Sequence, residues 1–311
     1  MKNLFKEIIS FSQKDVKDMQ NTIKFGGHSM IRPLKKILLK SPRDQPKETD
    51  LWKDFGYFHK SNLKQAIREH EELVDLLRGE GVEVILAQDD EKGSNTLLDS
   101  IFVFDNAIMT NIGAILCKMG KKLREAEVPV IERELLRIGI PIYFKIHGDA
   151  RLEGGDVLWL DEQTVIVGKT HRTNELGFLQ LKMALEELSV KVYQFPLPYW
   201  KGPEDLIHLL SIIHPLDKDL AVAYLELMPL NMFEFLKERG IELIELTYNE
   251  LKAHGNNVLM LKPRKGIMVK GNKSKPKLED YGVEILEFDG DDICHNRSGG
   301  PTCLSLPLLR S

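Results

Sequence analysis

One pattern recurs five times along the 311-residue chain: a helix-forming segment, a single glycine or serine, and a short run of apolar and β-branched residues. The break residues are Gly81, Gly139, Ser189, Gly240 and Gly282. Glycine readily adopts the left-handed conformation that ends many helices, and the run after each break is typical of a buried strand. Five such copies predict five similar structural units.

Further apolar runs precede the helices, and several of them read as strand, polar turn, strand, as in "DVLWLDEQTVIVGK". Their predicted turn residues are Asp161-Glu162, Asp217-Lys218 and Pro263-Arg264. Residues of these types favour hairpins. Each unit is therefore predicted to be ββαβ, too small to bury its own apolar face, so that it must pack against its neighbours.

Two α/β architectures could use such units. A doubly wound parallel sheet usually carries a Gly-rich first turn, and the chain has neither a G-x-G-x-x-G motif nor a Walker loop. We therefore predict a closed, five-bladed pseudosymmetric α/β propeller over residues 31–311, as a single domain. Residues 1–30 are predicted to be an N-terminal helical extension, peripheral and amphipathic, with a membrane-surface or partner helix as the alternative.

The amino-acid composition limits which binding partners and which cellular compartment we expect. A net charge of −4 lacks the basic surface of polyanion binders, so we predict no nucleic-acid partner. Since no apolar run approaches the roughly 18 residues that span a bilayer, we predict no membrane partner. Three cysteines do not make a disulfide framework, and this favours a cytoplasmic protein.

Four residues stand out because their chemistry contrasts with their surroundings. Cys303 follows "SGGPT", Glu153 opens "LEGGDVLWL", His208 interrupts the apolar run "DLIHLLSII", and Asp105 ends "DSIFVFD". Each also has a structural interpretation: a small buried hydrophobe, a tight turn with surface acids, a core histidine bound to a backbone carbonyl, and a strand-ending turn. Taken one by one, these residues leave both interpretations open.

Two arginines and one cysteine–histidine group are weaker signals. Arg124 in "KKLREAE" and Arg172 in "GKTHRTNELG" could each bind a carboxylate through two parallel hydrogen bonds, or lie solvated on a helix and on a loop. The loop leads into a helix that we expect to be N-capped by Thr173 or Asn174. Cys294-His295 with Cys303 fits none of the usual zinc spacings, so we predict no metal site.

Taken in order, six fragments resemble the signatures of the guanidine-modifying, or pentein, superfamily. They are "DSIFVFD", "LREAE", "RLEGGDV", "VGKTHRTNELG", "IHLLS" and "SGGPTCLSLPL". The superfamily contains arginine deiminase, dimethylarginine dimethylaminohydrolase and the amidinotransferases. The resemblance covers about residues 35–311 and implies a five-fold pseudosymmetric propeller, in agreement with the repeats.

The resemblance implies a role for each matching position. Cys303 would be the nucleophile, His208 the general acid and base, and Glu153 the carboxylate that holds the guanidinium and assists proton transfer. Asp105 would accept hydrogen bonds from the guanidine nitrogens.

Three further positions match residues that bind the amino-acid end of the substrate. Arg124 and Arg172 would grip its α-carboxylate, and Asp99 would help to bind its α-amino group. The resemblance implies a small guanidino or ureido amino acid as the binding partner and no cofactor. The sequence leaves open whether the protein forms a homodimer.

The expected reaction is hydrolysis of a guanidino or ureido C–N bond through a covalent adduct on Cys303, most similar to the dimethylarginine branch. Two positions depart from family patterns: Leu210 stands where arginine deiminases carry an aspartate, and Phe104 where the dimethylarginine enzymes often carry an acid. The alternatives are an amidinotransferase, an arginine deiminase or dihydrolase, and a binding protein for arginine-like ligands.

Overall fold

The computed structural model describes residues 25–45, 50–88, 98–202 and 207–311. Most of the predicted N-terminal extension lies outside these ranges. Its described part, residues 25–30, is not helical, because Gly26 exchanges backbone hydrogen bonds with Leu308 and Arg310 at 2.7 and 2.8 Å. This segment therefore runs beside the last strand of the chain.

Fifteen strands and six α-helices form the described part of the chain. The strands are β1 (Leu34–Leu39), β2 (Glu83–Leu86), β3 (Ala107–Thr110), β4 (Gly113–Leu116), β5 (Ile142–Lys145), β6 (Val157–Asp161), β7 (Thr164–Lys169), β8 (Lys191–Pro196), β9 (Ile213–Asp217), β10 (Leu220–Ala223), β11 (Glu242–Glu245), β12 (Leu259–Lys262), β13 (Lys265–Val269), β14 (Glu284–Phe288) and β15 (Ser305–Arg310). The helices are α1 (Leu63–Gly79), α2 (Glu127–Arg137), α3 (Glu175–Glu186), α4 (Leu230–Glu238), α5 (Tyr248–Lys252) and α6 (Lys275–Asp280).

The strands form five sheets of three, and each sheet has the same connectivity. The first two strands of a sheet are antiparallel, and a helix then returns the chain to a third strand parallel to the middle one, as in β6–β7–β8. The predicted ββαβ units, the propeller class and the three predicted hairpin turns are confirmed. The fifth sheet, β15–β1–β2, joins the two ends of the chain and closes the ring.

The predicted break residues end the helices as expected. All five have positive φ, from 61° at Ser189 to 81° at Gly139. Ser189 adopts this conformation despite its Cβ, which an isolated residue of this type rarely does. None of the helices in the described ranges is long and apolar enough to cross a bilayer.

The turns that carry Asp105, Glu153 and the residues after His208 occupy equivalent positions in three successive units, just before the first strand of each sheet. Short 3-10 helices at Val103–Asn106, Gly154–Asp156 and Leu209–Ser211 precede β3, β6 and β9. The first packs on the second and the second on the third, while β15 packs on the first. The ring therefore gathers side chains that lie about 50 residues apart in the sequence.

Candidate active site

Glu153 and His208 form the centre of the site. Glu153 is the N-cap of the turn before β6, and His208 is the N-cap of the turn before β9. Both residues are buried, and Nε2 of His208 lies 2.8 Å from Oε2 of Glu153. The observed partner of the imidazole is thus a carboxylate, not the backbone carbonyl of a structural core histidine.

Gly155 allows Asp105 to join this pair. A Cβ on Gly155 would lie 2.5 Å from Nδ1 of His208 and 2.9 Å from Oδ1 of Asp105, so only glycine leaves room for both groups. The N–H of Gly155 also donates to Oδ1 of Asp105 at 2.9 Å. Asp105, Glu153 and His208 are the only three potential ligand side chains in the described ranges whose donor atoms all lie within 4.8 Å of one another.

The close packing of these groups sets their charges. Burial raises the pKa of Glu153, but the hydrogen bond and charge of His208, together with Arg172, hold it well below its usual range. Burial lowers the pKa of His208, but the charges of Asp105 and Asp156 and the hydrogen bond to Glu153 raise it to about 9. At neutral pH the site therefore holds an imidazolium beside carboxylates.

Asp156, the second acid of the Glu-Gly-Gly-Asp motif, supports the histidine turn. Its Oδ1 accepts the N–H of Leu209 at 3.0 Å, and its Oδ2 accepts the hydroxyl of Thr170 at 2.6 Å. Burial raises the pKa of Asp156 to about 6. Sequence reasoning singled out this acid only as one of a pair. Its place three residues after Glu153, at the start of a strand, was the signal for a supporting role.

Cys303 lies in the turn before β15, against the segment that carries Asp105. The N–H of Phe104 donates to the carbonyl of Cys303 at 3.2 Å, and Nδ2 of Asn257 lies 3.1 Å from its Sγ. Desolvation and the charge of Asp105 raise the pKa of the thiol, and the hydrogen bonds from the backbone of Gly300 and from the side chain of Asn257 oppose this rise. Sequence reasoning missed Asn257, although it occupies the equivalent position before the first strand of its own unit.

Of the three cysteines, only Cys303 retains exposed surface; Cys117 and Cys294 are buried. Burial raises the pKa of both buried thiols well above the ordinary value. The sulfur and imidazole atoms of Cys294, His295 and Cys303 do not form a three-ligand group in the described part of the chain. Cys303 is therefore the one cysteine whose sulfur a substrate could reach.

Arg124 is placed differently from the expectation that it grips a substrate carboxylate. Its Nη1 donates to Asp105 at 2.6 Å, its Nε to Glu127 at 3.0 Å, and its Nη2 to Glu127 and to the carbonyl of Phe102 at 2.9 and 3.0 Å. The side chain is 4% exposed. Every guanidinium nitrogen of Arg124 is hydrogen-bonded inside the protein, so Arg124 holds the Asp105 carboxylate in place.

Arg172 lies across Glu153. Its Nη1 is 3.0 and 3.1 Å from the two carboxylate oxygens, and its side chain keeps some exposed surface. The next helix, α3, is capped by Asn174, whose side chain accepts the N–H of Gly177 at 2.9 Å. Thr173 instead accepts the backbone N–H of Glu153 through its hydroxyl. The loop thus positions both the acid and its cationic partner.

Asp99 lies at the edge of the same group of charges. It is buried, and its Oδ2 accepts from Nζ of Lys121 at 3.0 Å. The backbone N–H of Lys121 in turn donates to Oε1 of Glu153 at 3.1 Å. Any role of Asp99 in binding an amino group would therefore be shared with Lys121, which sequence reasoning did not identify.

Known proteins resemble this chain in sequence. An uncharacterised protein of Bacillus subtilis, YkgA, is 28% identical over 281 residues, which are 89% of this chain and 92% of that protein. The N(G),N(G)-dimethylarginine dimethylaminohydrolase of Streptomyces coelicolor is 28% identical over 211 residues, covering 68% of this chain and 74% of that one.

Solved structures share the fold. The dimethylarginine dimethylaminohydrolase of Pseudomonas aeruginosa, complexed with citrulline, superposes with a TM-score of 0.70 at 21% identity, over 88% of this chain and 99% of that chain. The N-terminal domain of the cyanobacterial arginine dihydrolase ArgZ, bound to product, superposes with a TM-score of 0.74 at 18% identity, over 88% and 97%.

The family assignment rests on a match over most of the chain. The family model described as "N,N dimethylarginine dimethylhydrolase, eukaryotic" matches residues 44–310. This range contains every candidate site residue and all of the five units except strand β1. With the five-unit propeller and the gathered carboxylates, this match shows that the chain belongs to the dimethylarginine dimethylaminohydrolase family of the pentein superfamily.

Proposed function

We propose that this protein is a cysteine hydrolase that cleaves a C–N bond of a guanidino amino acid through a covalent adduct on Cys303. The observation that carries the proposal is the convergence of Asp105, Glu153 and His208 within 4.8 Å, from three neighbouring turns of which the Asp105 turn adjoins the Cys303 segment. Two buried carboxylates beside one another bind a planar cation by charge and by paired hydrogen bonds. The match to a family of enzymes that act on guanidino groups supports the same proposal.

Substrate binding would exchange one guanidinium for another. The guanidinium group of Arg172 is hydrogen-bonded to the carboxylate of Glu153, and the proposed substrate carries a guanidinium group as well. An incoming guanidinium that binds Glu153 and Asp105 displaces Arg172, which then becomes available to the α-carboxylate of the same substrate. The expected grip on the carboxylate is therefore retained for Arg172, while Arg124 stays with Asp105 and holds it in place.

The first half-reaction follows from the charges. Desolvation keeps most of the Cys303 sulfur as thiol, and a bound guanidinium favours the thiolate by direct attraction, so that the thiol releases its proton to solvent. The sulfur attacks the central guanidine carbon and forms an S–C bond. The C–N bond to the leaving amine then breaks, and the amine takes the proton of the His208 imidazolium.

The second half-reaction returns the enzyme. Neutral His208 accepts a proton from water as the oxygen attacks the carbon of the S-alkylthiouronium adduct. The S–C bond then breaks, the electron pair returns to sulfur, the hydroxyl of the adduct releases its proton to solvent, and a ureido product leaves. Glu153 holds the imidazole in the same orientation for both proton transfers.

Two apolar residues favour an alkylated guanidine. Leu210 is buried in the large hydrophobic cluster, and Phe104 packs against that cluster next to the Cys303 carbonyl. Neither side chain offers a third carboxylate to an unsubstituted NH₂ group. A guanidine end that bears methyl groups needs fewer acceptors and gains apolar contact.

The decisive test is a substrate panel assayed with wild type and with Cys303→Ser. We expect release of an alkylamine from a methylated arginine, and a loss of at least about a thousandfold in Cys303→Ser, because a hydroxyl replaces the activated nucleophile. Cys294→Ser is the matched control and should retain activity, since that sulfur is completely buried and closed to a substrate. Full activity in Cys303→Ser would overturn the proposal.

The same panel separates the rival reactions. Release of ammonia from arginine would indicate a deiminase or dihydrolase. A new guanidino compound formed from arginine and glycine would indicate an amidinotransferase. Binding of arginine without turnover, unchanged in Cys303→Ser, would indicate a binding protein.

A further inference from the structure

Four of the five units contribute Asp105, Glu153, His208 or Cys303 from the turn before their first strand. The remaining unit, β12–β13–β14, places Asn256 and Asn257 at this equivalent position, one residue before β12. No charged group of this turn enters the site. Its two carboxamides are therefore the candidates for that unit's contribution.

The two carboxamides reach the two neighbouring turns. Asn256 donates through Nδ2 to the carbonyl of Leu210, in the His208 turn, at 2.7 Å. Asn257 lies against the Cys303 turn, with its Nδ2 3.1 Å from Sγ and its Oδ1 3.0 Å from the N–H of Thr302. The fourth unit thus connects the general acid turn with the nucleophile turn.

The bond to Thr302 fixes the orientation of the Asn257 amide. A backbone N–H can only donate, so the atom that faces Thr302 must be the carbonyl oxygen. The NH₂ group is then directed at the sulfur of Cys303 and can only donate to it. A donor at 3.1 Å stabilises a thiolate more strongly than a thiol, because hydrogen bonds to charged groups are the stronger ones.

Gly300 keeps this arrangement possible. A Cβ at Gly300 would lie 2.4 Å from Cγ and 2.5 Å from Oδ1 of Asn257. The backbone of Gly300 does not lie in the left-handed region, so glycine is required there by space and not by φ. The terminal Gly-Gly-x-x-Cys element therefore accommodates the Asn257 carboxamide.

We propose that Asn257 is a catalytic residue that donates a hydrogen bond to the thiolate of Cys303 and holds the nucleophile turn through Thr302. This inference rests on the proposed function of Cys303 as the nucleophile. The bond favours the thiolate before attack, and it stabilises sulfur again when the S–C bond of the adduct breaks. Neither step requires any group beyond those already named.

The size of the effect follows from two opposing trends. Loss of one hydrogen bond to a charged sulfur raises the thiol pKa by about one to two units. A thiolate of higher pKa is also more nucleophilic, which returns about a factor of three per unit. The reactivity of Cys303 at neutral pH should therefore fall by about threefold to tenfold, while turnover falls further because the turn also loses its anchor.

The test measures carboxamidomethylation of Cys303 by iodoacetamide across pH, with mass spectrometry to assign the modified cysteine. In Asn257→Ala we expect the midpoint of the rate profile to rise by about one to two pH units. Asn272→Ala is the matched control in the same unit. Its Nδ2 donates to the carbonyl of Ala253 and its Oδ1 accepts from Ser274, without contact to Cys303. Its midpoint should equal that of wild type.

Gly300→Ala supplies a second variant if Asn257→Ala folds poorly. Alone, it should raise the midpoint because its methyl group displaces the carboxamide. Combined with Asn257→Ala, it should add nothing, because the methyl group then fills vacant space and the backbone of Gly300 keeps its own hydrogen bond to the sulfur. An unchanged midpoint in both single variants, or full additivity in the double variant, would overturn the proposal.

The readout is independent of the substrate. A raised midpoint in Asn257→Ala supports the donor even if the substrate panel finds no turnover, which would count against the proposed function alone. The opposite outcome is also distinguishable. If Cys303→Ser loses turnover while the alkylation midpoint of Asn257→Ala stays at the wild-type value, this inference is overturned and the proposed function stands.

Discussion

Two groups of acids and arginines lie side by side in this molecule. They differ in how far the arginine is shielded from solvent, and we call the shielded group closed and the other group open. In the first, Arg124 is 4% exposed and lies between Asp105 and Glu127. In the second, Arg172 is 11% exposed and lies on Glu153, which also binds His208. The same two residue types therefore form a closed group and an open one.

The difference separates structural support from chemistry. All the guanidinium nitrogens of Arg124 are bound inside the protein, and its removal would leave Asp105 and Glu127 without their buried cation in a region of low dielectric constant. Arg172 can leave Glu153, because His208 and two backbone N–H groups remain on that carboxylate. An exchangeable cation is what a site for a guanidinium substrate needs.

The largest effect should come from breaking the closed group. Arg124→Met is expected to lower the free energy of unfolding by about 3–5 kcal/mol, because the partners of a buried ion pair are left uncompensated. Urea denaturation followed by circular dichroism measures this loss. Arg172→Met is the matched control. Equal losses in the two variants would show that the two groups do not differ as the geometry indicates.

A second prediction concerns pH and the open group. The pKa of His208 is raised from 6.5 to about 9, so its contribution to stability is complete below pH 6.5 and is lost as the pH rises through 9. The contribution is of the order of 3 kcal/mol. Glu153→Gln removes the hydrogen-bonded carboxylate charge and should lower the pKa of His208.

Nuclear magnetic resonance titration of the His208 ring measures this change directly, with His208→Asn to assign the signal. The free energy of unfolding should also depend less steeply on pH between 7 and 9 in Glu153→Gln than in wild type. A His208 pKa that stays near 9 in the variant would mean that Asp105 and Asp156 alone set the charge of the ring.

The smallest effect on stability, about 1 kcal/mol or less, is expected for Arg172→Met. Its effect should instead appear in binding. KM for a guanidino amino acid should rise by about tenfold to a hundredfold, because a charged hydrogen bond to the α-carboxylate is lost. Agmatine, which lacks that carboxylate, is the control substrate. A similar rise for both would place the carboxylate grip elsewhere.

Much of the fold was predictable because its signals are local. The break residues of the repeats report a backbone conformation that each residue must adopt by itself, and all five have positive φ. The hairpin turns were predictable for the same reason. Residue types at the turns singled out Glu153, His208 and Cys303 as candidates, but their roles came only from the family resemblance, since each residue alone also had a structural interpretation.

Other features depend on contacts that no single segment carries. Arg124 and Arg172 have similar sequence signals, and only the packing around them makes one a closed brace and the other an open partner. Asn257 is an ordinary loop residue in the sequence. Its meaning depends on the sulfur of Cys303 lying 3.1 Å away, from a segment 46 residues later in the chain.

The amino-acid sequence by itself determined the five units, their ends and the types of group available for chemistry, because these follow from local backbone preferences and from the ionisable side chains. Only the tertiary structure decided which acid is paired with which cation. Those pairings depend on distances and burial across units, and the ring closes only when β15 pairs with β1.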